Sequence, residues 1–242
     1  MPIPGVKNVT RMTKELDEQI AAAIAEQHVL RTRVRLHDDY GELRLVAGVD
    51  AGFEAEGTII RAAVVVLRLP DLLPVDYALV RQPVTFPYLP GLLAFREAPA
   101  IIAAISRLRT SPDLIICDGH GIAHPRRCGI ACHIGVLLDR PTIGCAKHRL
   151  IGQFTPPPAE RGARQPLYDG DEQIGWVLRT RATAQPVFVS PGHRVSLDRS
   201  PELVMACTTR YRLPETTRFA HRLASDHQLP LTPCSSLHEE EE

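Results

Sequence analysis

Two short runs saturated with branched apolar residues, residues 43–50 (LRLVAGVD) and 114–118 (LIICD), each close on an aspartate, and they restrict the architecture more than any other feature. Such runs suit strands buried on both faces of a sheet. A carboxylate at the end of one is costly unless it reaches solvent or a cation. Between them, residues 58–69 and 75–82 continue the strand pattern across a Pro70-Asp71 break, which predicts an antiparallel three-stranded meander. Residues 87–91 form a Pro-bounded stiff turn. A helical pattern follows over 92–108, with Pro99 implying a kink or a late first turn.

Elsewhere, apolar residues at helical spacing over 13–31 predict an amphipathic N-terminal helix. Residues 129–138 read as a helix, 141–145 as a short strand and 154–171 as a loop rich in Pro and Gly. Residues 174–179 and 186–190 read as strands, and 200–212 and 214–225 as closing helices. With 242 residues, 44% of them hydrophobic, and no repeat or linker, one core is expected. A meander followed by helix, strand and helix departs from the strict alternation of a doubly wound sheet. It predicts a single α/β domain with a ribonuclease H-like mixed sheet flanked by helices on both faces. The expected division is a flexible leader over 1–11, a catalytic domain over 12–228 and a disordered acidic tail over 229–242.

The chain carries 28 basic and 28 acidic residues, so no global field draws it to nucleic acid or an anionic membrane, and any such contact needs a local patch. No secretory signal pattern opens the sequence, and no run approaches the roughly 20 apolar residues of a membrane span. A cytoplasmic protein with reduced cysteines is expected, with no membrane partner and no obligate protein partner, most simply a monomer.

Asp50 and Asp118, each ending an apolar run, can converge on one hard cation; Mg2+ is the usual occupant of open carboxylate sites, and Mn2+ would substitute. Either acid alone could equally cap a turn. Glu97, early in the second helical pattern, could complete the site or simply complement the helix dipole. Tyr88, held between Pro87 and Leu89-Pro90-Gly91, is displayed by a stiff segment and could wedge between bases or pack on the domain edge. In the loop DGHGIAHPRR, residues 118–127, Gly119 and Gly121 permit close backbone approach, and their N–H groups could read the edge of a flat base. His124 could carry a proton or touch phosphate, and Arg126 and Arg127 could hold phosphates before a helix start. Lys147 could neutralise charge on a phosphate or sit in solvent. His120, His124, Cys128 and Cys132 also have zinc-capable chemistry, but Gly121 and Pro125 break the helix that would align them and no CxxC pair is present.

The motif series VAGVDAGFE, TFPYLPGLLAFREAPA, PDLIICDGHGIAHPRRCGIACHIGV, PTIGCAKHRLIG, VSPGHRVS and YRLPETTRFAH resembles that of the endonuclease V family, in order, over residues 43–224. The resemblance implies a Mg2+-dependent DNA repair endonuclease that recognises deaminated bases, chiefly deoxyinosine (hypoxanthine). It implies hydrolysis of the second phosphodiester bond 3′ to the lesion, leaving a 5′-phosphate and a 3′-hydroxyl. Asp50 and Asp118 would bind the metal, with Glu97 completing the site and His221 a further candidate ligand. Lys147 and His124 would be catalytic, Tyr88 with Leu89 and Pro90 the strand-separating wedge, and Gly91, Gly119 and Gly121 the lesion pocket. Inosine-containing RNA is the alternative substrate, and a catalytically silent nucleic-acid-binding module the alternative class. Two departures stand out: Thr216 replaces a Pro of the closing motif, and Cys132 stands where Ser is common.

Overall fold

The computed structural model describes residues 4–225, with side chains described from Lys14 onward. The expected tail over 229–242 and Cys234 lie outside the described residues. Helix α1 (Pro4–Arg33) opens the chain. It begins inside the segment expected to be a leader; proline is tolerated in a first helical turn because its missing N–H would have no intrahelical partner there.

Strands β1 (Leu45–Glu54), β2 (Ile59–Arg68) and β3 (Leu73–Pro83) form the meander, followed by helix α2 (Leu93–Ile105), strand β4 (Leu114–Cys117), helix α3 (Ile130–Leu138) and strand β5 (Thr142–Ala146). Strands β6 (Arg164–Asp169), β7 (Glu172–Leu178) and β8 (Val187–His193) precede helices α4 (Arg199–Ala206) and α5 (Glu215–Ala224). The eight strands make one mixed sheet in the order β3-β2-β1-β4-β5-β8-β7-β6. Only β1, β4 and β5, at its centre, run parallel to one another.

Alternation along the central strands sorts the two layers. Ala47, Val49, Ile115 and Cys117 face α2 and α3, packing with Ala98, Ile101, Ile130 and Ile134. Val46, Leu114 and Ile116 face α4, against Leu203 and Val204, while Ala63, Val65 and Leu67 meet Leu223 and Ala224 of α5. Burying this apolar surface contributes about 25 cal/mol per Å². Helix α5 comes unusually close to β1. A Cβ on Gly48 would stand 2.0 Å from the Thr216 carbonyl oxygen, so any larger residue would push the helix off the sheet.

Two sequence expectations need correction. The stretch expected to be a Pro- and Gly-rich loop contains β6, an edge strand where Pro166 costs no central ladder bond; it turns into β7 through Gly170, whose φ is +63°. Asp50 does not end its strand. β1 continues to Glu54, paired throughout with β2, and what ends near Asp50 is the parallel pairing with β4, at Val49 opposite Cys117. Pro99 lies inside α2 and leaves the Phe95 carbonyl without its helical N–H donor.

Among the described residues no helix is long and apolar enough to cross a membrane.

Candidate active site

The parallel register places Val49, Cys117 and Gly144 side by side on β1, β4 and β5. One residue further, Asp50 and Asp118 lie next to each other on the α5 side of the sheet, and Lys147 follows β5. Lys147 Nζ donates to Asp118 Oδ2 at 2.5 Å. From α5, His221 Nδ1 meets Asp50 Oδ2 at 2.7 Å, a contact made possible by the close seat of α5 on Gly48. Glu97 reaches the same charges from the first half of α2, across the strand ends.

The electrostatics show that these acids are crowded. Burial, then repulsion from Asp50 and Asp118, pushes the Glu97 carboxyl up to about 8. Asp50 is raised as well, by burial and then by Asp118, with the His221 hydrogen bond opposing. Burial disfavours the charge on Lys147, yet its hydrogen bond to Asp118 and attraction to both aspartates outweigh that and raise it, so it stays an ammonium. One ammonium and one imidazole face three carboxyls. Among the described residues no three His, Cys, Asp or Glu side chains already converge as a ligand set, so a cation would have to draw Glu97 and the aspartates together. The donor chemistry, oxygen carboxylates with surplus negative charge, fits a hard divalent ion.

A second cluster holds the turn that displays Tyr88. Leu92 N–H donates to the Leu89 carbonyl at 3.0 Å, closing a turn over Pro90 and Gly91, whose φ of +79° suits glycine. Tyr88 itself is 68% exposed, a large aromatic with nothing covering most of it. The Gly91 carbonyl accepts three hydrogen bonds, from Gln27 Nε2 at 3.0 Å, His124 Nε2 at 2.9 Å and Arg126 Nη2 at 2.7 Å. Arg126 Nε also donates to Gln27 Oε1. The Arg126 backbone N–H donates to His124 Nδ1, which fixes the tautomer that carries its proton on Nε2.

These contacts change what several expected residues can do. His124 is 3% exposed, burial, reinforced by Arg126, lowers it to about 4, and its neutral ring donates to the turn. Arg126 is likewise spent on the turn. Arg127, expected to meet phosphate, is paired with Asp169 and Glu172 of the β6–β7 hairpin, because its strained backbone (φ +54°) aims it there. The glycine N–H groups are not bare: Gly121 N–H donates to Ser190 Oγ at 2.8 Å and Gly119 N–H to the Cys117 carbonyl at 3.0 Å. Cys128 and Cys132 pack in an apolar cluster with Leu30, Ile122 and Val136. Asp50, Glu97, Asp118, Lys147 and His221 are brought together; His124, Arg126 and Gly91 meet in the turn clamp.

Sequence reasoning missed three contributors. Gln27 is fully buried on α1, and its amide bridges Gly91, Cys128 and Arg126; a buried Gln in an otherwise apolar helical stripe was the available signal. Arg149 and Arg212 lie within the motif blocks PTIGCAKHRLIG and YRLPETTRFAH, but nothing in their spacing shows that they share a cavity.

A ribonuclease H-like mixed sheet with a crowded acidic site at its parallel strand ends defines the class. The comparisons with known proteins narrow it: the endonuclease V family profile matches residues 28–222, so the chain belongs to the endonuclease V family, and it is a nuclease. Endonuclease V of Roseiflexus sp. is 56% identical over 211 residues, 87% of this chain and 94% of that protein. The structure of endonuclease V from Streptomyces avermitilis matches with 45% identity and a TM-score of 0.81, covering 85% of this chain and 91% of that one. Endonuclease V of Ciona intestinalis, solved with a 23-mer DNA containing an inosine followed by a ribo-adenosine, matches with 27% identity and a TM-score of 0.77, covering 86% and 96%.

Proposed function

We propose that this chain is a repair endonuclease that recognises deaminated bases, chiefly deoxyinosine, and hydrolyses the second phosphodiester bond 3′ to the lesion, leaving a 5′-phosphate and a 3′-hydroxyl. The observation that carries the reading is the acid cluster Asp50, Asp118 and Glu97, with Lys147 bonded to Asp118. Asp50, Asp118 and Glu97 would hold Mg2+, or Mn2+ in its place. When bound, the ion supplies charge neutralisation at the scissile phosphate and lowers the pKa of the attacking water.

The chain's own residues do the rest. Glu97, protonated near neutral pH when no cation faces it, releases its proton as the site fills, so binding tightens as pH rises. Lys147 is held as an ammonium at Asp118 and offers a donor to a phosphate oxygen placed beside that carboxylate. His221 orients Asp50. Tyr88, on its clamped turn, separates the strand at the lesion, and the side chains of Leu89 and Pro90 stiffen that display.

The test is nicking of a duplex with one deoxyinosine, with Mg2+, with EDTA, and against the matching RNA, since the Ciona complex carries a ribonucleotide after its inosine. Mg2+-dependent nicking at the bond immediately 3′ to the lesion's 3′ neighbour is expected. Cleavage in EDTA, or equal cleavage of an adenosine control, would sink the proposal; cleavage of the RNA alone would turn it to the endoribonuclease reading.

A further inference from the structure

Beside Lys147 lies a cavity of about 450 Å³, lined by Lys147, Arg149, Arg179 and Arg212 around Phe154 and Phe188. No aspartate or glutamate lines it. Among the described residues none of the three arginines has a carboxylate partner, in contrast to Arg127. Arg179 is fixed by the carbonyls of Pro157, Pro158 and Ala184, and Arg212 by those of Lys147, Gln185 and Pro186. Neutral carbonyls hold these guanidiniums in place without cancelling their charge. Arg149 uses only Nη1, on the Gly152 carbonyl, and lies 5.8 Å over the Phe154 ring. Phe154 stands edge-on to Phe188 at 5.5 Å, giving the cavity an aromatic wall.

Fixed guanidiniums beside an aromatic wall are what a nucleoside phosphate requires: cations for the phosphate and a π-face for the base. We propose that this cavity binds the nucleotide on the far side of the cut, the one that carries the 5′-phosphate after hydrolysis. The direction follows from the layout. The loop after Asp118 clamps the Tyr88 turn, and Lys147, bonded to Asp118, lines the cavity. A strand held at the turn by its lesion and cut 3′ to it passes Asp118 and enters the cavity next. This direction rests on the proposed lesion reading; the affinity for a 5′-phosphorylated strand end does not.

The experiment measures binding of a short 5′-phosphorylated single strand, and of its 5′-hydroxyl twin, to the full chain in EDTA by fluorescence anisotropy. The strands carry no lesion and nothing is cleaved, so the outcome is independent of deoxyinosine nicking. The phosphorylated strand should bind about tenfold tighter. Arg149→Ala should remove most of that preference, and Phe154→Ala should weaken both strands alike, on the order of tenfold. Should Arg149→Ala fold poorly by its melting curve, Arg149→Gln keeps the stem over Phe154 and removes the charge, with the same expected loss. Equal binding of the two strands to the unsubstituted protein, or a preference retained in the Arg149 variants, overturns the proposal.

Discussion

The turn clamp and the acid cluster each draw on the loop that follows β4, through His124 and Arg126 in one case and Asp118 in the other, yet their polar groups are used in opposite ways. At the clamp, Gln27, His124 and Arg126 converge on one carbonyl and satisfy one another, so the turn is held and Tyr88 is the part left free. At the acids, Asp118 adds to the raised proton affinity of Asp50, both add to that of Glu97, and Lys147 and His221 answer only part of the charge. A satisfied network fixes geometry, and an unsatisfied one waits for a ligand. The contrast separates residues that position from residues that react, a division that residue types alone do not give.

Removing a reacting group should have the largest effect. Asp118→Ala should lower nicking of a deoxyinosine duplex by about a thousandfold or more, while lesion binding remains measurable by gel shift and the melting temperature changes little. Unchanged nicking would mean that the cluster is not the reacting centre.

Breaking the clamp should act on selection instead. The pair His124→Ala and Arg126→Ala leaves Gly91 only Gln27 as donor and should cost about 2–4 kcal/mol of stability. It should also reduce the inosine-over-adenosine ratio of kcat/KM by about tenfold, much as Tyr88→Ala should do at almost no cost in stability. If the ratio survives in both while turnover collapses, the clamp belongs with the chemistry.

Acid should weaken the fold through its buried imidazoles, His124 of the clamp among them. His124 and His133 are lowered to about 4 by burial, so each is neutral in the fold, and the stability they contribute is present above about 6.5 and lost as pH falls towards 4. Thermal melts from pH 7 to pH 4 should fall over that window, and His133→Phe should flatten part of the fall. A flat profile would show that these imidazoles charge freely in place.

The smallest effect should come from Arg127→Ala. Its charge is already answered by Asp169 and Glu172, so the salt dependence of DNA binding should keep its slope. A slope reduced by about one phosphate contact would restore Arg127 to the interface.

The meander, the central strands and both aspartates were legible because apolar density and a terminal charge are local properties. Edge strand β6 was not, since its Pro and Gly content reads as loop until β7 pairs with it. The continuation of β1 past Asp50 was hidden because the apolar run stops while the ladder with β2 goes on. The roles of His124, Arg126 and Arg127 depend on partners up to about a hundred residues away in sequence, Gln27 for one, and no spacing rule reaches that far. The cavity arginines were invisible for the same reason: Arg149, Arg179 and Arg212 share no motif and meet only through folding.

The bridging amide of Gln27 also sets a rule for shortening the chain. It is the last buried polar group before the strands begin, and it reaches forward from α1 to Gly91, Cys128 and Arg126. A version starting just after it would keep Asp50, Glu97, Asp118 and every described strand. It would nevertheless lose the only described contact by which α1 grips the turn's carbonyl, becoming a nuclease with its cutting edge intact and its guide loosened.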